Sequence, residues 1–236
     1  MVSSLDRARC LAPVRRIAVC AALLLVAAPV FAAEPPVASP YPQRNFATYQ
    51  PTAYATRIAP NEAPAIDGDP SDPVWAKAQA IDEFYEVDPN AGRPAAQRTV
   101  ARVLYDDDTL YVSIYAYDTE PDRIVATVRA RDGNIDVDDG VRIFIDPGLS
   151  RRDAYYFEMN ALGARTDALI QNNSVYLVKW NAIWEGRAGM FEGGYTVEMA
   201  IPFKSLRYAA GGEQTWGVNA RRIVKWRNET SFFTRI

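Results

Sequence analysis

Two tryptophans in a polar segment are the side chains best suited to hold a sugar. Trp180 and Trp184 lie four residues apart in a stretch without a clear hydrophobic period. Aromatic rings can stack on the apolar C–H face of a pyranose while nearby polar groups bind its hydroxyls. The predicted sugar-binding set also includes Tyr176, Asn172, Asn173 and Asn181, with Glu185 beside them. The alternative is that both tryptophans pack inside the fold, since tryptophan is often half-buried in either role.

A loop of alternating oxygen-bearing side chains indicates a site for a hard cation. Its members are Asp132, Asn134, Asp136, Asp138 and Asp139. Calcium is bound by carboxylate and amide oxygens of this kind. The loop is not an EF-hand, because Val137 and Ile143 stand where that motif needs glycine and a bidentate glutamate. The sequence therefore predicts a structural calcium site here, with simple turn formation by aspartate as the alternative.

Two other acidic clusters have the same two interpretations. Asp67, Asp69 and Asp72 form a second candidate cation cluster, and turn formation again competes with it. Asp106 to Asp108 join two segments of alternating polarity, so we assign them to a hairpin turn.

Residue types alone exclude most catalytic chemistry. The chain has no histidine, and its two cysteines, Cys10 and Cys20, lie in an N-terminal leader. Ser–His and Cys–His pairs, imidazole metal ligands and thiolate nucleophiles are therefore absent from the mature chain. The remaining option is a pair of carboxylates, as in glycoside hydrolysis, with Glu158 and Glu198 as candidates. An exposed strand glutamate is usually only solvated, so the sequence favours a binding protein over an enzyme.

Residues 1–32 are predicted to be a secretory signal. Four arginines precede an apolar run from Ile17 to Phe31, and Val30-Phe31-Ala32 is typical of a cleavage site. We therefore expect the protein to be exported, and to be periplasmic, associated with the outer membrane or secreted.

The charge of the chain argues against nucleic acid as a partner. It has 26 basic and 29 acidic residues, a net charge of -3. The leader carries more basic than acidic residues, so its removal makes the remainder more acidic. Binding to phosphates needs clustered lysine and arginine, and this chain has no such excess.

The remaining chain has the alternating pattern of short strands. Thr99–Tyr105 and Thr109–Tyr117 form a predicted hairpin, and Leu110, Val112, Ile114 and Ala116 share the apolar face of its second strand. Further strands are predicted around 141–146, 155–160, 195–201 and 216–225. Many short strands with almost no helix predict an all-β fold, an antiparallel β-sandwich of jelly-roll or immunoglobulin-like type.

The segments outside these strands complete the predicted organisation. Residues 33–63 are rich in proline and alanine and are interpreted as a linker, so the domain is expected to span 64–236. One short helical turn is predicted at Asp72–Ala78, with Asp72 as its N-cap. We assign Trp75 and Trp216 to the core. Residues 229–236 resemble an unpaired edge strand, which suggests that the domain is truncated there.

The order of several motifs resembles the family 9 carbohydrate-binding modules found on xylanases. The motifs are Ile66-Asp67-Gly68, Asp72-Pro73-Val74-Trp75, the hairpin at Tyr105–Val112, Asp138-Asp139-Gly140-Val141, Asn160-Ala161-Leu162-Gly163 and Gly194–Phe203. The resemblance covers about residues 65–236. It is closer to a bacterial group in which such a domain precedes an outer-membrane β-barrel.

This resemblance implies a β-sandwich with bound calcium and no catalytic residues. It also implies a sugar held between two tryptophans, but no tryptophan stands just before Asp138-Asp139, where one of them is expected. The leading hypothesis is non-catalytic binding of polysaccharide or oligosaccharide of the xylan or cellulose type, in support of an attached glycoside hydrolase or of uptake. The alternatives are a periplasmic structural module attached to an outer-membrane barrel and, third, a glycoside hydrolase.

Overall fold

The computed structural model describes residues 41–235, and this part of the chain is all-β. In chain order the strands are β1 (Thr56–Arg57), β2 (Tyr85–Asp88), β3 (Thr99–Tyr105), β4 (Thr109–Tyr117), β5 (Gly140–Asp146), β6 (Ala154–Asn160), β7 (Arg165–Gln171), β8 (Val175–Leu177), β9 (Glu185–Phe191), β10 (Gly194–Pro202), β11 (Gly217–Val224) and β12 (Glu229–Phe232). Short 3₁₀ turns lie at Pro60–Glu62, Pro73–Lys77, Pro121–Arg123, Ile135–Val137, Phe203–Ser205 and Lys225–Arg227. Within 41–235, no helix has the length and apolar character needed to span a bilayer. The predicted signal of residues 1–32 lies outside the described residues.

The strands form two sheets that pack face to face as a β-sandwich, which confirms the predicted fold class. The five-stranded sheet has the order β1-β3-β4-β10-β9, and the seven-stranded sheet has the order β2-β12-β11-β5-β6-β7-β8. Every pairing is antiparallel except that of β1 with β3. The hairpin β3–β4 has the predicted limits, and Asp106 accepts hydrogen bonds from the amides of Asp108 and Thr109, as a turn residue would.

The core lies between the inner faces of the two sheets. The apolar face predicted for β4, from Leu110 to Ala116, is buried there against Val141, Ile143 and Ile145 of β5. The alternation of β10 gives Val197 and Met199 to the same core, so that Thr196 and Glu198 point to the opposite side of the sheet. The period of two thus decides which side chains can reach an outer face.

Residues 41–63 pack on the sandwich, although the sequence predicts a linker over residues 33–63, of which residues 33–40 lie outside the described part of the chain. Strand β1 pairs with β3, and Ile58 is buried in a second apolar cluster with Trp75 and Leu104. Further upstream, Phe46 contacts the ring of Tyr85 at a centroid distance of 5.7 Å. Apolar side chains at positions 46 and 58 give this proline-rich segment enough buried surface to stay on the sheets.

Three other expectations about the elements need correction. Strand β12 lies between β2 and β11 and is therefore not an unpaired edge. The predicted turn is present as the 3₁₀ turn Pro73–Lys77, with Asp72 and Ala78 as its cap residues, and the described residues contain five further 3₁₀ turns. The Asp72 side chain makes no capping hydrogen bond, because its carboxylate accepts one from the amide of Ala65 at 2.8 Å. Trp75 is buried as predicted, whereas Trp216 is only partly buried at the border of the core.

Candidate functional site

The outer faces of the two sheets differ in what covers them. Residues 56–78 lie across the five-stranded sheet, where Trp75 packs with Leu104 and Tyr111. Glu198 of that face is fully buried and accepts hydrogen bonds from the Trp75 indole and the Gly68 amide, both at 2.9 Å. On the seven-stranded sheet, residues 44–49 reach only the β2 edge through Tyr85. The rest of that face carries the charged and aromatic groups.

We call this surface the charged-aromatic face. It consists of Asp136, Arg142, Phe144, Tyr156, Glu158, Tyr176, Arg221 and Phe232. Strand register brings most of them together. Arg221 of β11 pairs with Arg142 of β5, which pairs with Glu158 of β6, so that a charged row crosses three strands. The next row on the same face pairs Phe144 with Tyr156.

The charged row is a closed network of ion pairs. Glu158 accepts a hydrogen bond from Arg142 at 2.5 Å on one carboxylate oxygen and a hydrogen bond from Arg221 at 2.6 Å on the other. Both arginines also reach one oxygen of Asp136, at 3.2 Å and 2.9 Å. Although burial opposes ionisation of Asp136, the hydrogen bond from Arg221 and the nearby positive charges hold its pKa below the usual range. Each arginine makes its charge-assisted bonds to both carboxylates through its Nη2 atom.

Burial within the network separates positioning groups from contact groups. Glu158 is 2% exposed and Arg142 is 7% exposed, whereas the side chain of Asp136 is 60% exposed. Arg221 lies between these extremes. Glu158 and Arg142 therefore hold Arg221 and Asp136 in place from below. An outer ligand meets a guanidinium donor and a carboxylate acceptor whose geometry is already set.

An aromatic surface adjoins the charged row. The Arg142 guanidinium lies 4.4 Å from the centroid of the Tyr156 ring, a cation–π distance. Tyr176 of β8 lies 6.1 Å from Tyr156 and is 49% exposed. Phe144 is partly exposed and stacks with Phe232 at 6.4 Å. The face thus combines apolar ring surface with fixed donors and acceptors, the two requirements for holding a sugar.

The two tryptophans of the predicted sugar set lie mainly inside the sandwich. Trp184 is 5% exposed, stands edge-on to Phe157 at 5.2 Å and donates its indole N–H to Asp167 at 2.8 Å. Trp180 is partly buried against the same core and contacts Tyr155 at 5.2 Å. The position of Trp184 fits the packing alternative, because its ring and its only polar atom are both occupied.

The other members of the set are spread over separate loops. Asn172 and Asn173 follow β7 in left-handed backbone conformations, at φ 52° and 58°, which asparagine tolerates in tight turns. The Asn172 side chain accepts a hydrogen bond from Arg152, and that of Asn181 accepts one from Arg131. Of the predicted set, only Tyr176 belongs to the charged-aromatic face, on strand β8 directly after the turn that contains Asn172 and Asn173.

The buried aspartates of the predicted calcium loop are held by hydrogen-bond donors of the chain. Asp138 is fully buried and accepts from the amides of Thr127 and Val128, at 3.0 Å and 2.9 Å, and from the Asn160 side chain at 2.7 Å. Although burial opposes ionisation, these bonds hold the pKa of Asp138 below its usual value. Asp139 accepts from the amide of Val125 at 2.8 Å, and burial raises its pKa.

The remaining members of the loop do not complete a cation site. Asp136 is bound by arginines, Asp132 lies 3.4 Å from the Arg131 guanidinium, and Asn134 is exposed. Among residues 41–235, no three acidic side chains come together in a way that could hold a metal ion. The second acidic cluster, Asp67, Asp69 and Asp72, forms no such group either. The Asp67 carboxylate accepts a hydrogen bond from the Asp69 amide at 2.9 Å, as in an Asx turn. The acidic side chains of these loops therefore act as turn and capping acceptors, and the calcium site stays a prediction.

The candidate catalytic carboxylates lie on opposite sides of the molecule. Glu158 is on the outer face of the seven-stranded sheet, and Glu198 is on the outer face of the five-stranded sheet. Both are buried and hydrogen-bonded. A glycosidase pair must flank one bond at about 5–10 Å, so these two residues cannot act as such a pair.

Most of the charged-aromatic face was not singled out from the sequence. The signal was present in β5, where Arg142 and Phe144 alternate with core residues, and in β6, where Tyr156 and Glu158 do the same. What the pattern could not supply is the pairing of β11 with β5, which adds Arg221. That contact joins residues about eighty positions apart in the chain.

Comparisons with known proteins agree on the fold. Residues 66–223 match the family profile described as "Carbohydrate family 9 binding domain-like". A family 9 carbohydrate binding module from Caldicellulosiruptor kristjanssonii, solved with cellotriose, has 16% identity and a TM-score of 0.52, covering 76% of this chain and 82% of that chain. The complex of this module with glucose has 16% identity and a TM-score of 0.52, covering 75% of this chain and 84% of that chain. A proposed carbohydrate-binding protein from Bacteroides uniformis has 13% identity and a TM-score of 0.60, covering 77% and 88%. A search of curated protein sequences found no match.

Proposed function

Because the chain belongs to the Carbohydrate family 9 binding domain-like family, we propose that it is a non-catalytic carbohydrate-binding module whose charged-aromatic face holds the sugar. The observation that carries this proposal is the fixed guanidinium and carboxylate of Arg221 and Asp136 on the same sheet face as the exposed ring of Tyr176, which lies four strand positions away on β8. A pyranose places hydroxyls around its edge and C–H groups on its faces. An oligosaccharide can therefore place one ring at the charged row and another against Tyr176.

The network beneath the contact groups lowers the cost of binding. Glu158 already holds Arg221 at 2.6 Å, so little side-chain freedom remains to be lost when a hydroxyl replaces water on the guanidinium. The opposite signs of Arg221 and Asp136 let one sugar hydroxyl donate and a neighbouring one accept. Neutral polyols use both, which favours them over a strongly charged ligand.

The proposed ligand class is a short oligosaccharide of the cellulose or xylan type. The solved module from Caldicellulosiruptor kristjanssonii was obtained with cellotriose and with glucose, and we extend that class to this chain. Phe144 on β5 and Tyr176 on β8 are three strand positions apart. At the usual spacing this is about 14 Å, which suits an oligosaccharide as well as a single ring.

The biological role proposed for this binding is targeting. The predicted signal of residues 1–32 would take the protein to the periplasm, the outer membrane or the outside of the cell. There the module would keep polysaccharide close to an attached partner, such as a glycoside hydrolase or an outer-membrane barrel.

Isothermal titration with cellotriose, xylotriose and glucose tests the proposal. We expect saturable binding of at least one of these sugars, and a loss of about tenfold or more in affinity for Tyr176→Ala, since an aromatic contact contributes about 1 kcal/mol beyond its buried area. Tyr54→Ala is the matched control, because Tyr54 is 68% exposed and is not part of the face. No binding of any of the sugars by a folded protein would refute the proposal.

A further inference from the structure

A cavity lies on the side of the sandwich opposite the charged-aromatic face. It has a volume of about 300 Å³ and is lined by Asp67, Gly68, Asp69, Tyr115, Gly189, Met190, Phe191 and Thr196. We call it the turn pocket, because the turn at 67–69 forms one wall and the β9–β10 hairpin forms another. It lies at the outer face of the five-stranded sheet, beside the cover made by residues 56–78. None of its residues belongs to the charged-aromatic face.

The turn is fastened so that the pocket is formed before any ligand arrives. The Gly68 amide donates to Glu198 at 2.9 Å, and the Gly68 carbonyl accepts from the Thr196 hydroxyl at 2.5 Å. Gly68 has φ +95°, and a Cβ at Gly189 would come within 2.5 Å of the Gly68 carbonyl oxygen. Only glycine at both positions lets the turn approach the strand this closely. Ligand sites are usually preformed in this way.

The polar groups of the pocket are available to a ligand. The Asp69 carboxylate is exposed, and within residues 41–235 it has no hydrogen-bond or ion-pair partner. Asp67 uses one oxygen for the Asp69 amide. The pocket therefore presents carboxylate acceptors on the side of the turn.

The other wall of the pocket is apolar. Tyr115 meets the ring of Phe191 edge-on at 6.0 Å, and both rings are partly exposed. The lining residues include no cation, so a carboxylated or phosphorylated ligand would be repelled by Asp67 and Asp69. Ring surface opposite hydroxyl acceptors suits one neutral sugar ring, and the volume is at the lower limit for a small-molecule site.

We propose that the turn pocket is a second sugar-binding site, which takes a single neutral pyranose. The ligand donates hydroxyl hydrogens to Asp69 and Asp67 and lays its apolar face against Tyr115 and Phe191. The choice of a sugar rests on the proposed function, but the site is separate from the charged-aromatic face. A protein with both sites would contact a polysaccharide from two sides, which increases avidity without a new contact at either site.

Amide shifts in ¹⁵N-labelled protein titrated with methyl β-glucoside test this inference. We expect saturable shifts at Gly68 and Gly189 and a decrease of about tenfold in affinity at these amides for Asp69→Asn. Asp122→Asn is the matched control, because Asp122 is exposed and lies outside the pocket.

The outcomes separate this inference from the proposed function. Shifts at Gly68 that persist in Tyr176→Ala and weaken in Asp69→Asn support the turn pocket, whether or not the charged-aromatic face binds. Shifts confined to Arg142 and Tyr156 would overturn it and leave the proposed function intact. Binding of glucosamine without binding of glucose would also overturn it, because the pocket would then recognise an ammonium group.

Discussion

Removal of the Glu198 carboxylate should detach the cover of the five-stranded sheet. Glu198 is fully buried, and its two oxygens accept from the Trp75 indole at 2.9 Å, the Gly68 amide at 2.9 Å and the Asp67 amide at 3.2 Å. Glu198→Ala leaves these three donors without an acceptor. Each unsatisfied buried donor costs about 1–3 kcal/mol, and water can reach the Asp67 amide, so the expected loss is about 3–5 kcal/mol.

The glutamine variant distinguishes charge from shape. Glu198→Gln removes the charge that burial opposes but turns an amide N–H₂ toward a donor, so the two effects partly cancel and the expected cost is no more than about 1 kcal/mol. Urea unfolding of both variants measures these differences. Glu192→Gln is the control, because Glu192 is exposed. A Glu198→Ala protein whose free energy of unfolding lies within about 0.5 kcal/mol of wild type would show that Glu198 does not hold the cover on the sheet, since neutral surface substitutions fall in that range.

The remaining predictions concern the tryptophans, the acidic loop and pH. Trp184→Phe should lower the free energy of unfolding by about 1–2 kcal/mol, because Asp167 loses a buried donor, and should leave sugar affinity unchanged; a titration showing lost affinity would return Trp184 to the site. Asp138→Asn should destabilise the fold, since one of its oxygens then becomes a donor facing other donors, whereas a chelator should leave the melting temperature of the wild type unchanged. Burial raises the pKa of Glu198 above 4.5, so the protonated form is favoured in the folded state and stability should increase as pH falls from neutral. The pKa of Asp138 is held below 3.8, where hydrogen bonds outweigh burial, so stability should be lost as pH falls below about 4. The free energy of unfolding, measured with urea from pH 7 to below about pH 4, checks both predictions. A steady decrease in this free energy from pH 7 downward would contradict the prediction for Glu198.

Strands with a strict period of two could be predicted from the sequence, and strands that break it could not. Thr99–Tyr105 and Thr109–Tyr117 alternate cleanly and have the predicted limits. Strand β7 turns Asp167 toward the core, where it binds the Trp184 indole, so its polarity hides the strand. Strand β9 contains Gly186 and Gly189, which have no side chain to show a period.

The site was less predictable because it depends on pairing between distant strands. Tyr176, one of the predicted sugar-binding residues, is exposed, but the sequence could not show that Trp184 is buried. A tryptophan four residues from another in a polar segment has the same pattern whether its ring faces solvent or Phe157. In the same way, the row from Arg221 to Glu158 exists only because β11 lies beside β5.

The acidic loops show how one residue type serves two roles. Aspartate oxygens suit calcium, and they equally suit backbone amides at turns. The choice at Asp138 is decided by Thr127 and Val128, whose amides point at its carboxylate. These donors precede it in the chain by ten or more residues, so the spacing of the acidic residues did not contain this information.

Mapping of the amide shifts caused by cellotriose tests the central claim most directly. The account predicts saturable shifts on the charged-aromatic face, at Arg142, Tyr156 and Tyr176, and the loss of these shifts in Arg221→Ala. Saturable cellotriose binding that leaves these three amides unchanged would contradict it, and so would the absence of any shift in a protein whose spectrum shows a folded β-sandwich.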